Sequence, residues 1–212
     1  MQQAPYPYPA TLIFGIPGAG KGTQGDILKT IPGFFHVSSG NVFRQMGDAS
    51  EEARLVRDHI QRGELVPDDL TIRILVEHLE ASRLSGEFDP ERDLLLLDGI
   101  PRSTEQCRLL KPYVDVKLML HLVCKDEEAM IRRIRRRAKM EGRPDDANED
   151  IIRKRFEVYH QQTAPVLHEY PPELINEIDS RQTQAEVLLA CLAALIPVHK
   201  QSFPRRLTSS GS

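Results

Sequence analysis

The chain has 212 residues, of which 40% are hydrophobic and 28% are charged, and its formal net charge at pH 7 is -3. That length predicts a single domain with its own hydrophobic core, and the composition excludes a largely disordered chain. The small acidic excess argues against a dedicated nucleic-acid-binding protein, which usually carries a surplus of basic residues.

The cysteines and the two ends of the chain limit which kinds of site and which cellular compartment the sequence allows. Cys107, Cys124 and Cys191 are far apart and form no CxxC pair, which excludes a disulfide framework and a zinc site built from cysteines. Residues 1–10 lack the basic and apolar segments of a secretory signal and predict a loose arm, and the polar residues 202–212 predict a frayed end. No apolar run is long enough for a membrane helix, so we expect a soluble, cytoplasmic protein.

Apolar runs alternate with helical patterns along the chain. Strands are predicted at residues 11–16, 34–37, 94–97, 116–123 and 174–178. Helices are predicted after a glycine-rich turn at residues 15–25, over 38–67 with breaks at Gly47 and Gly63, and over 71–84, 126–137 and 183–196. Asp126 is placed as an N-cap, and Thr183 with Glu186 is placed as a capping box. The alternation predicts an α/β fold, a doubly wound, five-stranded parallel sheet with helices on both faces.

The most specific motif is the glycine-rich turn, which reads GIPGAGKGT from Gly15 to Thr23. Its G-x-x-x-x-G-K core is the pattern of a phosphate-binding P-loop, and it follows a predicted strand and begins a helix. Glycines let backbone N–H groups approach phosphate oxygens, and the helix N-terminus favours an anion. Lys21 can reach the β- and γ-phosphates of a nucleotide. The motif therefore predicts a P-loop domain.

Further segments follow in a fixed order. They are SSGNVFR at residues 38–44, GELVPD at 63–68, LDGIPR at 97–102 with Gln106, and RPDD at 143–146 with Arg155 and Tyr159 beyond it. Together with the P-loop they resemble the motifs of nucleoside monophosphate kinases, adenylate kinases above all, and the resemblance covers about residues 11–195. It implies reversible transfer of the terminal phosphoryl group of ATP to AMP, giving two ADP, by a monomeric enzyme that needs Mg²⁺ and binds neither nucleic acid nor a membrane.

The same resemblance assigns roles to individual residues. The residues expected to bind ATP are Gly18, Ala19, Gly20, Lys21, Gly22, Thr23, Arg133 and Arg137. Those expected to bind AMP are Ser39, Arg44, Leu65, Val66, Gly99, Arg102, Gln106, Arg143 and Arg155. The expected catalytic residues are Lys21, Arg102, Arg137, Arg143 and Arg155. Asp98 is expected to hold Mg²⁺ through water.

The resemblance also implies a division of the chain. Residues 1–37, 68–136 and 147–212 would form the core P-loop domain, residues 38–67 an insert that binds AMP, and residues 137–146 a short lid. This is the short form of the lid, and we expect no structural zinc, because the cysteine-based zinc site that long lids often carry is not possible here. The insert 38–67, called the flap below, and the lid would close over both nucleotides and exclude water.

Plain structural interpretations stay open for several of these residues. Asp98 is also typical of a strand-end turn, and Leu65 and Val66 are also ordinary packing residues. Arg44 and Arg102 could be surface arginines.

The other arginines of helix 126–137, which are Arg132, Arg135 and Arg136, fit solvated charges better than a nucleic-acid patch. The seven histidines show no metal-ligand spacing and indicate packing or surface positions.

Four departures from the family pattern stand out. Asn41 occupies a position where the family usually has an aspartate near the metal, and Ile100 replaces a phenylalanine. Ala147 is an apparent one-residue insertion, and the connection 82–93 is longer than expected and has no assigned role.

Two other functions remain open from the sequence. A UMP/CMP kinase shares the loop and the lid arginines, although Gln106 and the Ser39 hydroxyl favour adenine. A non-catalytic nucleotide-binding module would keep the same residues without turnover.

Overall fold

The computed structural model describes residues 6–47, 50–143 and 146–204. Its strands are β1 (Tyr8–Phe14), β2 (Phe34–Ser38), β3 (Leu94–Asp98), β4 (Val114–Val123) and β5 (Ile175–Asp179). Its α-helices are α1 (Lys21–Leu28), α2 (Ser39–Gln45), α3 (Glu51–Arg62), α4 (Asp68–Ser85), α5 (Thr104–Leu110), α6 (Glu127–Glu141), α7 (Glu149–Val158) and α8 (Gln184–Ser202). A π-helical turn (Tyr159–Thr163) and two short 3₁₀ segments lead from α7 to β5.

The strands form one parallel sheet in the order β2-β3-β1-β4-β5. Leu94 and Leu96 of β3 pack into one core with residues of α6 and α8, whereas Leu95 and Leu97 pack into a second core with residues of α4. Because successive side chains of a strand point to opposite faces, the two cores lie on the two sides of the sheet. The predicted fold class, a doubly wound parallel sheet covered on both faces, is confirmed.

Strand β1 begins earlier than predicted. The expectation was a loose arm through residue 10 and a strand over 11–16, but the strand starts at Tyr8, whose side chain is buried, and ends at Phe14. Pro9 is tolerated because pairing with β3 begins only at Ala10, so the missing N–H leaves no gap on that side. Residues 1–5 of the expected arm lie outside the described residues.

Two helices extend past their predicted ends. Asp126 caps α6 as expected by accepting from the Ala129 N–H, but the helix continues beyond residue 137 because the first helix-ending residue is Gly142, which has a positive φ of 62°. The capping box of Thr183 and Glu186 is present in α8. That helix continues through Pro197 to Ser202, and residues 205–212 of the expected frayed end lie outside the described part of the chain.

The long connection 82–93 has a packing role. After α4 ends at Gly86, Phe88 turns back into the core, where it is 1% exposed. Its ring stacks on Phe35 with centroids 4.8 Å apart and meets Tyr8 edge-on at 5.1 Å. The extra residues therefore supply an aromatic side chain that secures the start of β1.

The three cysteines are free, and they differ in exposure. Cys107 and Cys191 are buried, and burial raises the pKa of each thiol to about 11. Cys124, between β4 and α6, is partly exposed. Among the described helices, none combines the length and the apolar character needed to cross a membrane.

The contact between α1 and β2 gives a stability prediction. A Cβ atom on Gly25 would lie 2.2 Å from Nε2 of His36, whose side chain is only 2% exposed and has no room to withdraw. We expect Gly25→Ala to lower the free energy of unfolding by about 1–3 kcal/mol, as overpacked cores do, although alanine is the better helix former. Urea denaturation measures this.

Gly47→Ala is the matched control, because nothing lies within 4 Å of a Cβ at Gly47. We expect it to change the free energy of unfolding by less than about 0.5 kcal/mol. A Gly25→Ala protein as stable as the unaltered chain would contradict the packing described here.

Candidate active site

The glycine-rich loop lies between β1 and α1 and packs closely on its surroundings. Gly15, Gly18 and Gly20 have positive φ values of 144°, 85° and 99°. A Cβ on Gly15 would lie 2.5 Å from the Leu122 carbonyl oxygen, and one on Gly18 would lie 3.0 Å from that of Met130. The loop therefore needs glycine both for its backbone conformation and for its approach to β4 and α6.

Lys21, the first residue of α1, is held over this loop. Its ammonium donates to the carbonyl oxygens of Gly15 at 2.7 Å and Ile16 at 3.2 Å. Removal from water lowers the pKa of Lys21 to about 8, and the positive charges of three nearby arginines act in the same direction, against the opposing effect of Asp98. These arginines are Arg102, Arg137 and Arg155. The site thus holds a buried ammonium near several guanidinium groups, an arrangement that favours an anion.

The remaining predicted loop residues surround the start of α1. Ala19 is 2% exposed and packs in the core, whereas the Thr23 side chain is open to solvent. Gly20 is the N-cap residue of α1. A Cβ on Gly22 would lie 3.7 Å from Oδ2 of Asp98, so the loop and the end of β3 are neighbours.

Asp98 ends β3 and is 7% exposed. The Nε2 atom of His36 lies 3.9 Å from its Oδ2 atom and has no hydrogen-bond partner among the described residues. Burial lowers the pKa of His36, so the imidazole is neutral near pH 7 and does not form an ion pair with the carboxylate. The expectation that His36 is a packing residue is confirmed.

Ser39 and Arg102 converge on the carbonyl oxygen of Gly99. The Ser39 hydroxyl donates to that oxygen at 2.9 Å, and Nε of Arg102 donates to it at 2.7 Å. Gly99 has a positive φ of 76°, and a Cβ there would collide with both side chains. Burial lowers the pKa of Arg102 to about 10, and the positive charge of the nearby Arg155 guanidinium acts in the same direction.

The backbone of Arg102 is held by two buried polar side chains. Its N–H donates to Oε1 of Gln106 at 2.7 Å, and its carbonyl oxygen accepts from the Thr163 hydroxyl at 2.9 Å. Nε2 of Gln106 donates to Oδ1 of Asp68 at 2.8 Å. Thr163 belongs to the π-helical turn, a feature that is frequent at functional sites.

Arg137 and Arg155 are joined by one carboxylate. Asp146 is fully buried, and its Oδ2 accepts from Nε and Nη2 of Arg137 at 2.8 and 2.6 Å, while its Oδ1 accepts from Nη1 of Arg155 at 2.5 Å. The carboxylate of Asp146 therefore fixes the two guanidinium groups relative to each other, and a phosphate presents similar oxygens to such groups.

Arg143, which follows the end of α6, contacts α2. Its Nη2 atom lies 2.7 Å from the Glu141 carboxylate and donates to the Asn41 side-chain oxygen at 3.2 Å. A second link joins Lys154 of α7 to Glu64 at 2.8 Å. The predicted lid residues 144 and 145 lie outside the described residues.

The remaining predicted residues are more scattered. Arg44 donates to the Gly40 carbonyl oxygen at 2.7 Å, and its charge acts on Arg102. Arg133 donates to the Ser180 carbonyl oxygen at 3.0 Å. Leu65 is partly buried, and Val66 packs in a small separate core.

The arginines expected to be solvated, Arg132, Arg135 and Arg136, are exposed. Met130, Ile134 and Ala138 are buried on the opposite side of α6, as the helical spacing predicts. Within the described residues, no three or more His, Cys, Asp or Glu side chains group as a metal site.

Sequence reasoning missed three positioning contacts, those of Asp68, Asp146 and Thr163. Both aspartates lie in quoted motifs but received no role. No local pattern marks them. The partners of Asp68 are 35 or more residues away in the chain, and the partner of Thr163 is 61 residues away. The two partners of Asp146 lie in separate helices.

The pKa of Lys21 predicts how anion binding depends on pH. Because the free ammonium loses its proton as pH rises through about 8, we expect ATP affinity to be nearly constant below that pH and to fall above it, by up to about tenfold per pH unit. Isothermal titration calorimetry between pH 7 and 9.5 measures this. Lys21→Met should bind weakly with a flat profile, and an equal decline in that variant would show that Lys21 is not the titrating group.

Comparison with known proteins agrees with this geometry. A family model described as adenylate kinase matches residues 13–174. An adenylate kinase of Parabacteroides distasonis is 38% identical over 168 residues, which cover 76% of this chain and 84% of the relative. Adenylate kinases of Thermus thermophilus and Thermobifida fusca are each 36% identical, over 192 and 191 residues, and the matches cover 88% and 87% of this chain and 96% of each relative. With the family model spanning most of the sheet and the phosphate loop, the chain belongs to the adenylate kinase family.

Proposed function

We propose that this protein is a phosphotransferase that moves the terminal phosphoryl group of ATP reversibly to AMP, giving two ADP. The observation that carries the proposal is that Lys21, held over the glycine-rich loop, is close enough to Arg102, Arg137 and Arg155 to feel their charges, while Asp146 joins the last two arginines. These cations come from the P-loop, the end of β3, α6 and α7, so the fold itself assembles them. Relatives at 36–38% identity carry the name adenylate kinase.

The acceptor in this reaction needs no general base. An AMP phosphate is already an oxyanion at neutral pH, so catalysis consists of holding two phosphates in line and stabilising the charge of the transition state. Lys21 would contact the transferred group, and Arg137 and Arg155 would exchange their contacts with Asp146 for contacts with phosphate oxygens. Arg102 would hold the acceptor phosphate.

The donor side is assigned to the loop and α6. Backbone N–H groups from Gly18 to Thr23 would surround the ATP phosphates, with the N-terminus of α1 adding its dipole. Arg133, which now donates to the Ser180 carbonyl oxygen, would lie against the adenine ring.

The acceptor side is assigned to the residues around Gly99. Arg44 and Arg102 would grip the AMP phosphate, because guanidinium groups bind phosphate through paired hydrogen bonds. Gln106 and Ser39 would contact the adenine, and Leu65 with Val66 would line its pocket. Arg143 would act from the lid side.

The residues present fit a Mg²⁺ ion at Asp98. Its carboxylate is largely buried beside the N-terminus of α1, where Gly22 leaves its Oδ2 atom uncovered by any Cβ. One carboxylate is a typical protein contribution to a Mg²⁺ site in which phosphates and water provide the other ligands. When bound, the ion would neutralise charge on the transferring phosphates. Asn41, which has no negative charge, would not strengthen metal binding as an aspartate does.

Water exclusion is assigned to the two segments that lie outside the core domain, which comprises residues 1–37, 68–136 and 147–212. The flap 38–67 and the lid 137–146 would close over the nucleotides and prevent hydrolysis of ATP. The contacts from Asn41 to Arg143 and from Glu64 to Lys154 support closure, because they already join the flap to the other side of the site.

The protein would act as a monomer in the cytoplasm. Three free cysteines fit a reducing compartment. Nucleotides would be its partners.

A comparison of four acceptor nucleotides tests the proposal. A coupled assay with Mg-ATP and AMP, CMP, UMP or GMP should give the fastest nucleoside diphosphate formation with AMP. A preference for CMP or UMP would replace the acceptor assignment by a UMP/CMP kinase. ATP binding without transfer to any acceptor would refute the enzymatic proposal in favour of a nucleotide-binding module.

The site residues are tested by truncation. We expect Lys21→Ala and Arg102→Ala each to lower kcat/KM for AMP by at least about 100-fold, because each removes charge that stabilises the transition state. Thermal melting should stay close to that of the unaltered protein.

Arg132→Ala is the matched control, since its side chain is 69% exposed and only a 3.9 Å contact to Asp126 is lost. It should keep kcat/KM within about twofold, because an exposed ion pair contributes little. Near-normal activity of Lys21→Ala or Arg102→Ala would show that the site is assigned to the wrong residues.

A further inference from the structure

The side chain of Gln106 has no freedom to reverse its amide. Oε1 accepts from the Arg102 N–H at 2.7 Å, and Nε2 donates to Oδ1 of Asp68 at 2.8 Å. A carboxylate only accepts hydrogen bonds and a backbone N–H only donates them, so both partners select the same orientation. A reversed amide would place oxygen against oxygen at Asp68 and N–H against N–H at Arg102.

Burial makes that reversal costly. Gln106 is 1% exposed, so water cannot replace a lost partner. Asp68 is itself fixed, because its Oδ1 atom also accepts from the Ser103 hydroxyl at 2.9 Å. Ser103 in turn caps α5 by accepting from the backbone N–H of Gln106 at 3.0 Å. The network therefore joins the first residue of α4 to the first turn of α5.

We propose that Asp68 is a specificity-determining residue that acts through Gln106 on the base of the acceptor nucleotide. This inference rests on the proposed function, in which Gln106 contacts that base. Asp68 does not touch the nucleotide, so it is a positioning residue. By fixing the amide, Asp68 keeps the second N–H of Gln106 and the second lone pair of its Oε1 atom, which the contacts above do not use, in one orientation toward the base.

That arrangement distinguishes bases by their hydrogen-bonding edges. Adenine offers an amino N–H donor at C6 beside the N1 acceptor, which matches an oxygen and an N–H of a fixed amide. Hypoxanthine and guanine offer a carbonyl oxygen at C6 beside an N1–H donor, the reverse order. A freely reversing glutamine accepts both patterns, whereas one fixed by Asp68 together with the Arg102 N–H accepts only the adenine pattern.

AMP and IMP provide the sharpest test, because they differ only in this edge. Asp68→Ala removes the acceptor that fixes Nε2, so a reversed amide would meet one mismatch, at the Arg102 N–H, instead of two. We therefore expect the ratio of kcat/KM for AMP to that for IMP to fall by about tenfold or more. Loss of AMP activity and gain of IMP activity should both contribute. A merely structural role would lower both substrates alike and leave the ratio unchanged.

Asp69→Ala is the matched control. Asp69 is the next residue of α4, it is exposed, and it also lies in the first turn of the helix, so this variant loses the same charge at the same helix end without touching Gln106. Its AMP-to-IMP ratio should equal that of the unaltered protein. Asp68→Asn keeps an oxygen acceptor for Ser103 and Gln106 and should restore the ratio to within about threefold of the original.

The outcomes separate the two proposals. An unaltered protein that phosphorylates AMP, combined with an unchanged ratio in Asp68→Ala, would overturn the role of Asp68 and leave the proposed function standing. An unaltered protein with no AMP activity would overturn the proposed function itself. If Asp68→Ala fails to fold, the Asp68→Leu variant gives the same readout, because it also removes the acceptor while filling the space.

Discussion

The site depends on one electrostatic constraint, which is that several like charges must be held together before any anion arrives. Burial and neighbouring positive charges lower the pKa values of Lys21 and Arg102, so holding this cluster together costs free energy. Backbone carbonyl oxygens of Gly15 and Gly99 and the buried carboxylate of Asp146 offset part of the repulsion. These partners share one property: each is an oxygen that accepts a hydrogen bond from the cation, as a phosphate oxygen does. The free energy that brings these charges together is therefore supplied by folding, and no further reorganisation of the cations is needed during the reaction.

The sheet order determines which residues meet there. β3 lies between β2 and β1, and the register pairs Asp98 with both Ser38 and Ile13. The segments that follow these three residues therefore leave the same edge of the sheet side by side. They are the P-loop, the Gly99 turn and the start of the flap. Crossover connections between parallel strands make this adjacency possible for segments more than 50 residues apart.

The sequence predicted the local features well and the long-range ones poorly. The P-loop, the Asp126 cap and the capping box of α8 depend on residues within a few positions of one another, so their patterns are readable. The start of β1 was wrong because the tolerance for Pro9 depends on where β3 begins. The end of α6 was wrong because the arginine-rich last turn resembles a terminus, whereas Gly142 ends the helix.

The same distinction applies to the site. Motifs placed the P-loop and the family's arginines by resemblance, and the charge of Arg102 acts on Lys21. The polar partners that orient them could not be predicted, because Asp68, Thr163 and Asp146 look like ordinary polar residues until the chain has folded. Burial, which makes these contacts decisive, is a property of the whole structure and not of any segment.

The unequal exposure of the three thiols makes the protein suited to spectroscopy. Cys107 and Cys191 are shielded in the core, and burial keeps both in the unreactive protonated form at neutral pH. Cys124 alone among them is reachable, and it lies at the junction between β4 and α6, the helix that carries Arg133 and Arg137. We therefore expect a maleimide fluorophore to attach at Cys124, next to that helix, without any engineered cysteine.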